Sequence, residues 1–144
     1  MRINGEWFLC DDGVERPIIR GEVLAGDGSW LEIIFLLDTG ADRTVICATD
    51  FSALNYNREI NEYTLAGVGG LMGSILIETK LDLPQENGRK ASFSGQFAVL
   101  ANFESLDYSV LGRDITNLFA VIVDHPNDLV CLINQNHIYK IEAK

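Results

Sequence analysis

Basic residues are scarce in this sequence. Eleven Lys and Arg stand against 21 Asp and Glu, and the formal net charge is −10. Such a surface repels polyanions, which argues against a nucleic-acid partner. Histidine is rarer still: two residues are too few for a His-rich zinc site, and neither a metal nor a cofactor is expected. No apolar run approaches the ~20 residues that a membrane span requires, so no membrane association is expected. The opening "MRINGEWFLCDDG" has Arg2 but no sustained apolar stretch, because Glu6, Asp11 and Asp12 interrupt it. No signal peptide is read there. The three cysteines, Cys10, Cys47 and Cys131, are odd in number, far apart and flanked by apolar residues. They read as buried free thiols in a reducing compartment rather than as disulfides or metal ligands, and a cytoplasmic location is expected.

The residues that are abundant describe an ordinary core. The chain of 144 residues is 47% hydrophobic and 22% charged. By length it is expected to form a single domain over 1–144, and a chain of this size buries roughly 68–70% of its unfolded surface. Short apolar runs alternate with turn signals. "RPIIRGEVLA" and "SWLEIIFLL" flank "GDG" as a hairpin, and "EINEYTLA" and "SILIETKLDL" flank the glycine-rich "GVGGLMG" as a second. "TVIC" and "KASFSGQFAVLA" read as strands, and "ATDFSAL" as one helical turn capped by Thr49 or Asp50. "YSVLGRDITNLF" reads as a strand entering a short helix near residues 113–118. "AVIVD" and "LVCLIN" flank "HPND" as a third hairpin, and "HIYKIEA" is a candidate last strand. Many short strands with turns between them predict an all-β barrel or sandwich with this one helix as the exception.

One stretch stands apart. In "FLLDTGADRTVI", residues 35–46, an apolar strand runs straight into Asp38. About thirty residues on comes "LAGVGGLMG", and later "SVLGRD" followed by "ITNLF". These three segments, in this order, resemble the signatures of the retroviral-type aspartic proteases (retropepsins). "LLDTGAD" is similar to the family's Asp-Thr-Gly loop, "LAGVGGLMG" to its flap hairpin, and "SVLGRD" to its second signature before the helix.

The resemblance implies the family's acid-protease barrel and an aspartic endopeptidase that uses no cofactor. Two neighbouring carboxylates cannot both ionise, so they share one proton. The charged one activates water and the protonated one polarises the scissile carbonyl, as aspartic proteases are known to do. With a single Asp-Thr-Gly in the chain, the resemblance implies a homodimer that pairs two copies of Asp38. Thr39 would bond across the two-fold axis, and Gly40 would let backbone approach both the pair and the substrate. Ala41, Asp42, Val68, Gly69, Gly70 and Leu71 would contact a peptide or protein substrate, with Ile46 among the apolar residues of the cleft. Gly112, Arg113 and Asp114 would support the loop, Arg113 by an ion pair with Asp42 and Asp114 by capping the helix.

The C-terminal third hairpin departs from the viral enzymes, in which the chain ends interleave to hold the dimer. Here it can replace that sheet, dimerise differently, or cover the edge and leave a monomer. Extended C-terminal segments of this kind favour a cellular or bacterial member of the family. A catalytically silent peptide-binding or dimerisation module on the same fold remains the alternative.

Overall fold

The computed structural model describes residues 1–56, 61–67, 70–100, 107–134 and 142, with backbone alone for 61–67 and 70–73. Two apolar runs joined by the "GDG" turn build the first hairpin. β3 (Glu15–Leu24) pairs antiparallel with β4 (Trp30–Leu37), from Ile18 opposite Leu36 to Leu24 opposite Trp30. Ile19 and Val23 of β3 and Ile33 and Phe35 of β4 are buried in the core, while Arg20, Glu22 and Glu32 point outward. β4 then runs parallel to β9 (Ser109–Leu111), with Leu37 opposite Leu111. β9 meets β5 (Val45–Ile46), which lies parallel to β8 (Lys90–Leu100). β8 pairs along its length with β7 (Gly70–Pro84), and β7 returns to β3 through Glu22–Asp82 and Val23–Leu81.

The order β3-β4-β9-β5-β8-β7 therefore closes on itself as a six-stranded barrel. Gly21 permits the closure: a Cβ there would lie 2.9 Å from both Leu81 Cδ1 and Leu83 Cδ2. β2 (Glu6–Leu9) extends the sheet beyond β3, and β6 (Asn61–Gly67) extends it beyond β7.

The C-terminal hairpin is present. β10 (Ala120–Asp124) pairs with β11 (Leu129–Ile133) across the "HPND" turn. It does not stand alone, because β1 (Arg2–Asn4) pairs with the other side of β11 to complete a three-stranded sheet. The sequence reading has neither β1 nor β2. The chain crosses from one sheet to the other at Gly5, where a Cβ would fall 2.3 Å from Ile18 O and 2.7 Å from Val130 Cγ1. The candidate last strand falls on residues 137–143, which apart from 142 lie outside the described residues.

Among the described residues there are two helices. α2 (Arg113–Thr116) is the expected one, with Asn117 and Leu118 continuing as a turn. α1 (Ala48–Ala53) is the "ATDFSAL" segment, but neither Thr49 nor Asp50 caps it. The N-cap is Cys47, in extended conformation and without a side-chain capping bond. Asp50 lies inside the first turn and turns its carboxylate to Ser109 Oγ, 2.6 Å away, and to the Cys47 thiol at 3.2 Å. All three cysteines are buried and unbridged, as expected.

Candidate active site

β4 and β9 end side by side, and Asp38 follows β4 directly. Its N–H donates to Leu111 O at 3.2 Å, the last rung of the parallel β4–β9 ladder. The turn then closes on itself: Gly40 N–H donates to Asp38 Oδ1 at 2.8 Å, and Ala41 N–H to Asp38 O at 3.3 Å. Asp38, Thr39 and Gly40 are all exposed. Gly40 has no left-handed backbone, so its requirement is one of space: a Cβ there would sit 3.1 Å from Asp38 Oδ1. The carboxylate keeps its place beside the Gly40 N–H because no side chain competes for it.

The turn is fastened from behind by α2. Arg113 N–H donates to Ala41 O at 2.8 Å and Asp114 N–H to Asp42 O at 3.3 Å. The expected ion pair forms between the Arg113 guanidinium and the Asp42 carboxylate. Their side chains are 46% and 72% exposed, so this pair alone is worth little in water.

The stronger tie is partly buried, and the sequence reading misses it. Thr44 is fully buried and donates its Oγ1 to Asp114 Oδ1 at 2.7 Å and its N–H to both Asp114 oxygens at 2.9 Å. The same hydroxyl accepts from Gly112 N–H at 3.1 Å. Capping is thus only part of what Asp114 does: it also accepts from Ile115 N–H at 3.0 Å, but its main partner is Thr44, 70 residues away. The available signal was a hydroxyl residue two places after the second Asp of "DTGAD" and just before an apolar strand. Gly112 is held by contact rather than by torsion. A Cβ there would lie 2.2 Å from Arg43 C and 2.3 Å from Arg43 O, both backbone atoms. A second buried knot, Ser109 Oγ accepting from Cys47 N–H at 3.0 Å and donating to Asp50, joins β9 to the start of α1.

Ile46 does not reach a cleft. It is 1% exposed and packs in the barrel core with Leu111 and Val99. β5 is short and paired on both sides inside the barrel wall, so the residue following Val45 points inward. Val68 and Gly69 lie outside the described residues. Gly70 and Leu71 open β7 and pair with Gly67 and Ala66 of β6. Among the described residues β7 pairs with β8 from Ser74 onward, and residues 64–67 pair with 70–73 as a two-stranded ribbon. Among the described residues, no three His, Cys, Asp or Glu side chains stand close enough to share a metal ion. Among them also, no helix is long and apolar enough to cross a membrane.

A closed six-stranded barrel with an Asp-Thr-Gly turn at the paired ends of two parallel strands, backed by a short helix, is the retropepsin-like architecture. The sequence pattern of the retroviral aspartyl protease family matches residues 12–123. This chain belongs to that family. Among solved structures it is similar to a retropepsin-like aspartic protease from Rickettsia conorii, at 20% identity and a TM-score of 0.58, over 92% of this chain and 88% of that one. At that identity the likeness is one of fold. It is also similar to the EIAV protease in complex with the inhibitor HBY-793, at 25% identity and a TM-score of 0.48, over 71% of this chain and 86% of that one.

Proposed function

We propose that this protein is an aspartic endopeptidase whose site is completed by a second copy of the chain. The observation that carries the reading is the state of Asp38. Its carboxylate is exposed, yet the turn that bears it is fastened by Leu111, Gly40, Ala41 and α2. A rigid turn with an open carboxylate suits a group that must meet an identical group without rearranging. Two Asp38 carboxylates at one axis would share a proton and act as base and acid on water and a peptide carbonyl. Thr39, exposed beside Asp38, would bond across the axis and keep the two turns in step.

The β6–β7 ribbon is the proposed flap. Val68 and Gly69 at its turn, with Gly70 and Leu71, would cover an extended peptide and exclude water from the pair. Ala41 and Asp42 would supply contacts from below, while Gly112, Arg113 and Asp114 support the turn without touching substrate. The substrate class is a peptide with apolar residues at the cut.

Peptidase assay of Asp38→Asn tests the reading. The variant should melt like the parent but lose cleavage of an apolar-centred peptide library. It should also bind an inhibitor that mimics the tetrahedral intermediate less well than the parent does. Undiminished cleavage would sink the enzyme reading. The pairing of β1 with β11 within one chain favours a second reading, because it uses an edge that a partner could otherwise take. On that reading the protein is a catalytically silent module, and neither parent nor variant would cleave.

A further inference from the structure

The chain that leads into the β6–β7 ribbon is fastened just before it. After α1, Leu54 is fully buried, and its carbonyl accepts from Gly26 N–H at 2.8 Å in the turn between β3 and β4. Asn55 follows in the left-handed conformation, at φ 53°, which asparagine tolerates better than most residues. The two segments press together here: a Cβ on Gly26 would fall 2.6 Å from Asn55 O and 3.2 Å from Tyr56 Cα. Tyr56 comes next, and β6 begins at Asn61.

Tyr56 is half-buried, and its ring lies parallel to that of Phe51, with centroids 6.3 Å apart. Its hydroxyl donates to Leu24 O, at the end of β3, and lies 2.7 Å from Thr79 Oγ1 on β7. Thr79 is buried, and its own hydroxyl donates to the same Leu24 O at 2.7 Å. A carbonyl oxygen has two lone pairs, so each hydroxyl holds Leu24 O without needing the other. The phenol thus gathers three segments: the end of β3, the middle of β7, and the chain on its way to β6.

The two roots of the ribbon are held differently. β7 is built into the barrel, paired with β8 from Ser74 onward and with β3 at Leu81 and Asp82. Among the described residues β6 pairs with β7 alone. An arm that hangs on one neighbouring strand is as steady as its second point of attachment, and Tyr56 supplies that point. Partnered buried hydroxyls fix one arrangement, because any other leaves them unpaired. We infer that Tyr56 is a positioning residue for the proposed flap: its hydroxyl fixes the β6 root of the ribbon and so sets how firmly the ribbon closes over a peptide. The inference rests on the reading of that ribbon as a flap. Because the hydroxyl acts through the ribbon and not on the peptide, its loss should weaken the hold on substrate and transition state alike. The effect then falls on KM rather than on kcat.

The test compares parent, Tyr56→Phe and Thr79→Val. Tyr56→Phe keeps the ring beside Phe51 and orphans no buried group, since Thr79 still donates to Leu24 O. Thr79→Val removes the other hydroxyl and leaves Tyr56 on the same carbonyl. Hydrogen exchange read by mass spectrometry should show amides 61–66 exchanging about fivefold to tenfold faster in Tyr56→Phe, with those of β4 and α2 unchanged. Peptidase assays should show KM raised by a similar factor and kcat held within about twofold. Thr79→Val should leave exchange and KM within about twofold of the parent. Parental exchange in Tyr56→Phe overturns the inference and leaves the peptidase reading standing. Equal changes in the two variants also overturn it, because the hydroxyls would then serve only the stability of the fold. Faster exchange with a parental KM overturns the link from the root to substrate. A parent that cleaves no peptide overturns the endopeptidase reading, and the role of Tyr56 in it, whatever the exchange shows.

Discussion

The two oxygens of Asp114 both lie 2.9 Å from Thr44 N, and one of them takes the Thr44 hydroxyl at 2.7 Å. One carboxylate thus joins the helix that follows β9 to the segment that leaves the Asp-Thr-Gly turn. Because Thr44 Oγ1 also accepts from Gly112 N–H, a single buried hydroxyl serves two elements. Thr44→Val keeps the shape and removes both bonds. It should cost about 1–3 kcal/mol, because Gly112 N–H is left buried and unpaired, while Asp114 keeps its bonds from the Thr44 and Ile115 N–H groups. Urea unfolding checks this, and Thr44→Ser, which keeps the hydroxyl, should recover most of the loss. Equal losses in the two variants would show that the methyl group, not the bond, matters.

Gly112→Ala presses a methyl group against the backbone of Arg43, where no side chain can swing away. Overpacking typically costs about 1–3 kcal/mol, and a clash with backbone belongs at the top of that range. The methyl would push α2 from the turn, so the same variant should lose peptidase activity beyond what its stability loss explains. Thermal melts and assays well below the melting temperature separate the two effects. A variant that melts and cleaves like the parent would remove Gly112 from the support of the turn.

Much of this arrangement is legible in sequence because it is local. "RPIIRGEVLA" and "SWLEIIFLL" are apolar runs of strand length rich in Ile, Val and Phe, and "GDG" marks the turn between them, so β3 and β4 declare themselves. "LLDTGAD" and "GRD" are short motifs whose meaning survives without their partners. Long-range economy hides the rest. β1 is three residues long, and pairs with a strand nearly 130 residues away, and the neighbouring Gly5 breaks any periodic pattern. Asp114 in isolation is indistinguishable from a helix cap, since its main partner is 70 residues away. Asp50 sits where a cap residue could sit, but Ser109 and the Cys47 thiol claim its carboxylate. Ile46 sits in an apolar run whose facing no two-residue strand can reveal.

Asp12 is held down to about 2, first by the hydrogen bonds from Arg16 and then by the Val14 N–H. A carboxyl depressed on folding stabilises the fold above its ordinary value of 3.8. That contribution fades as pH falls through the window from 3.8 to about 2. Carboxyl titration by NMR should place Asp12 low in the parent, and Arg16→Gln should move it up toward its ordinary value. An unmoved titration in Arg16→Gln would assign the depression to the turn backbone instead.

Burial pushes the Cys47 thiol up, so little thiolate forms at neutral pH. Cys10 and Cys131 are equally enclosed, at 3% and 1% exposure. A disulfide-exchange reagent should therefore react with the native protein only slowly, at the rate of opening, and with three thiols per chain at once in denaturant. Fast stoichiometric labelling of native Cys47 would mean that the start of α1 opens far more readily than its bonds to Ser109 and Asp50 suggest.

The central claim, that two copies of Asp38 make one site, is tested most directly by mixing. The parent is held at a fixed low concentration and peptidase activity is followed while Asp38→Asn protein is added. If each site takes one Asp38 from each chain, the added protein should poison activity by drawing the parent into mixed dimers. With random assortment, a ninefold excess should leave about a tenth of the starting rate per parent chain. Activity that stays constant throughout the titration, in proportion to parent alone, would contradict the shared site.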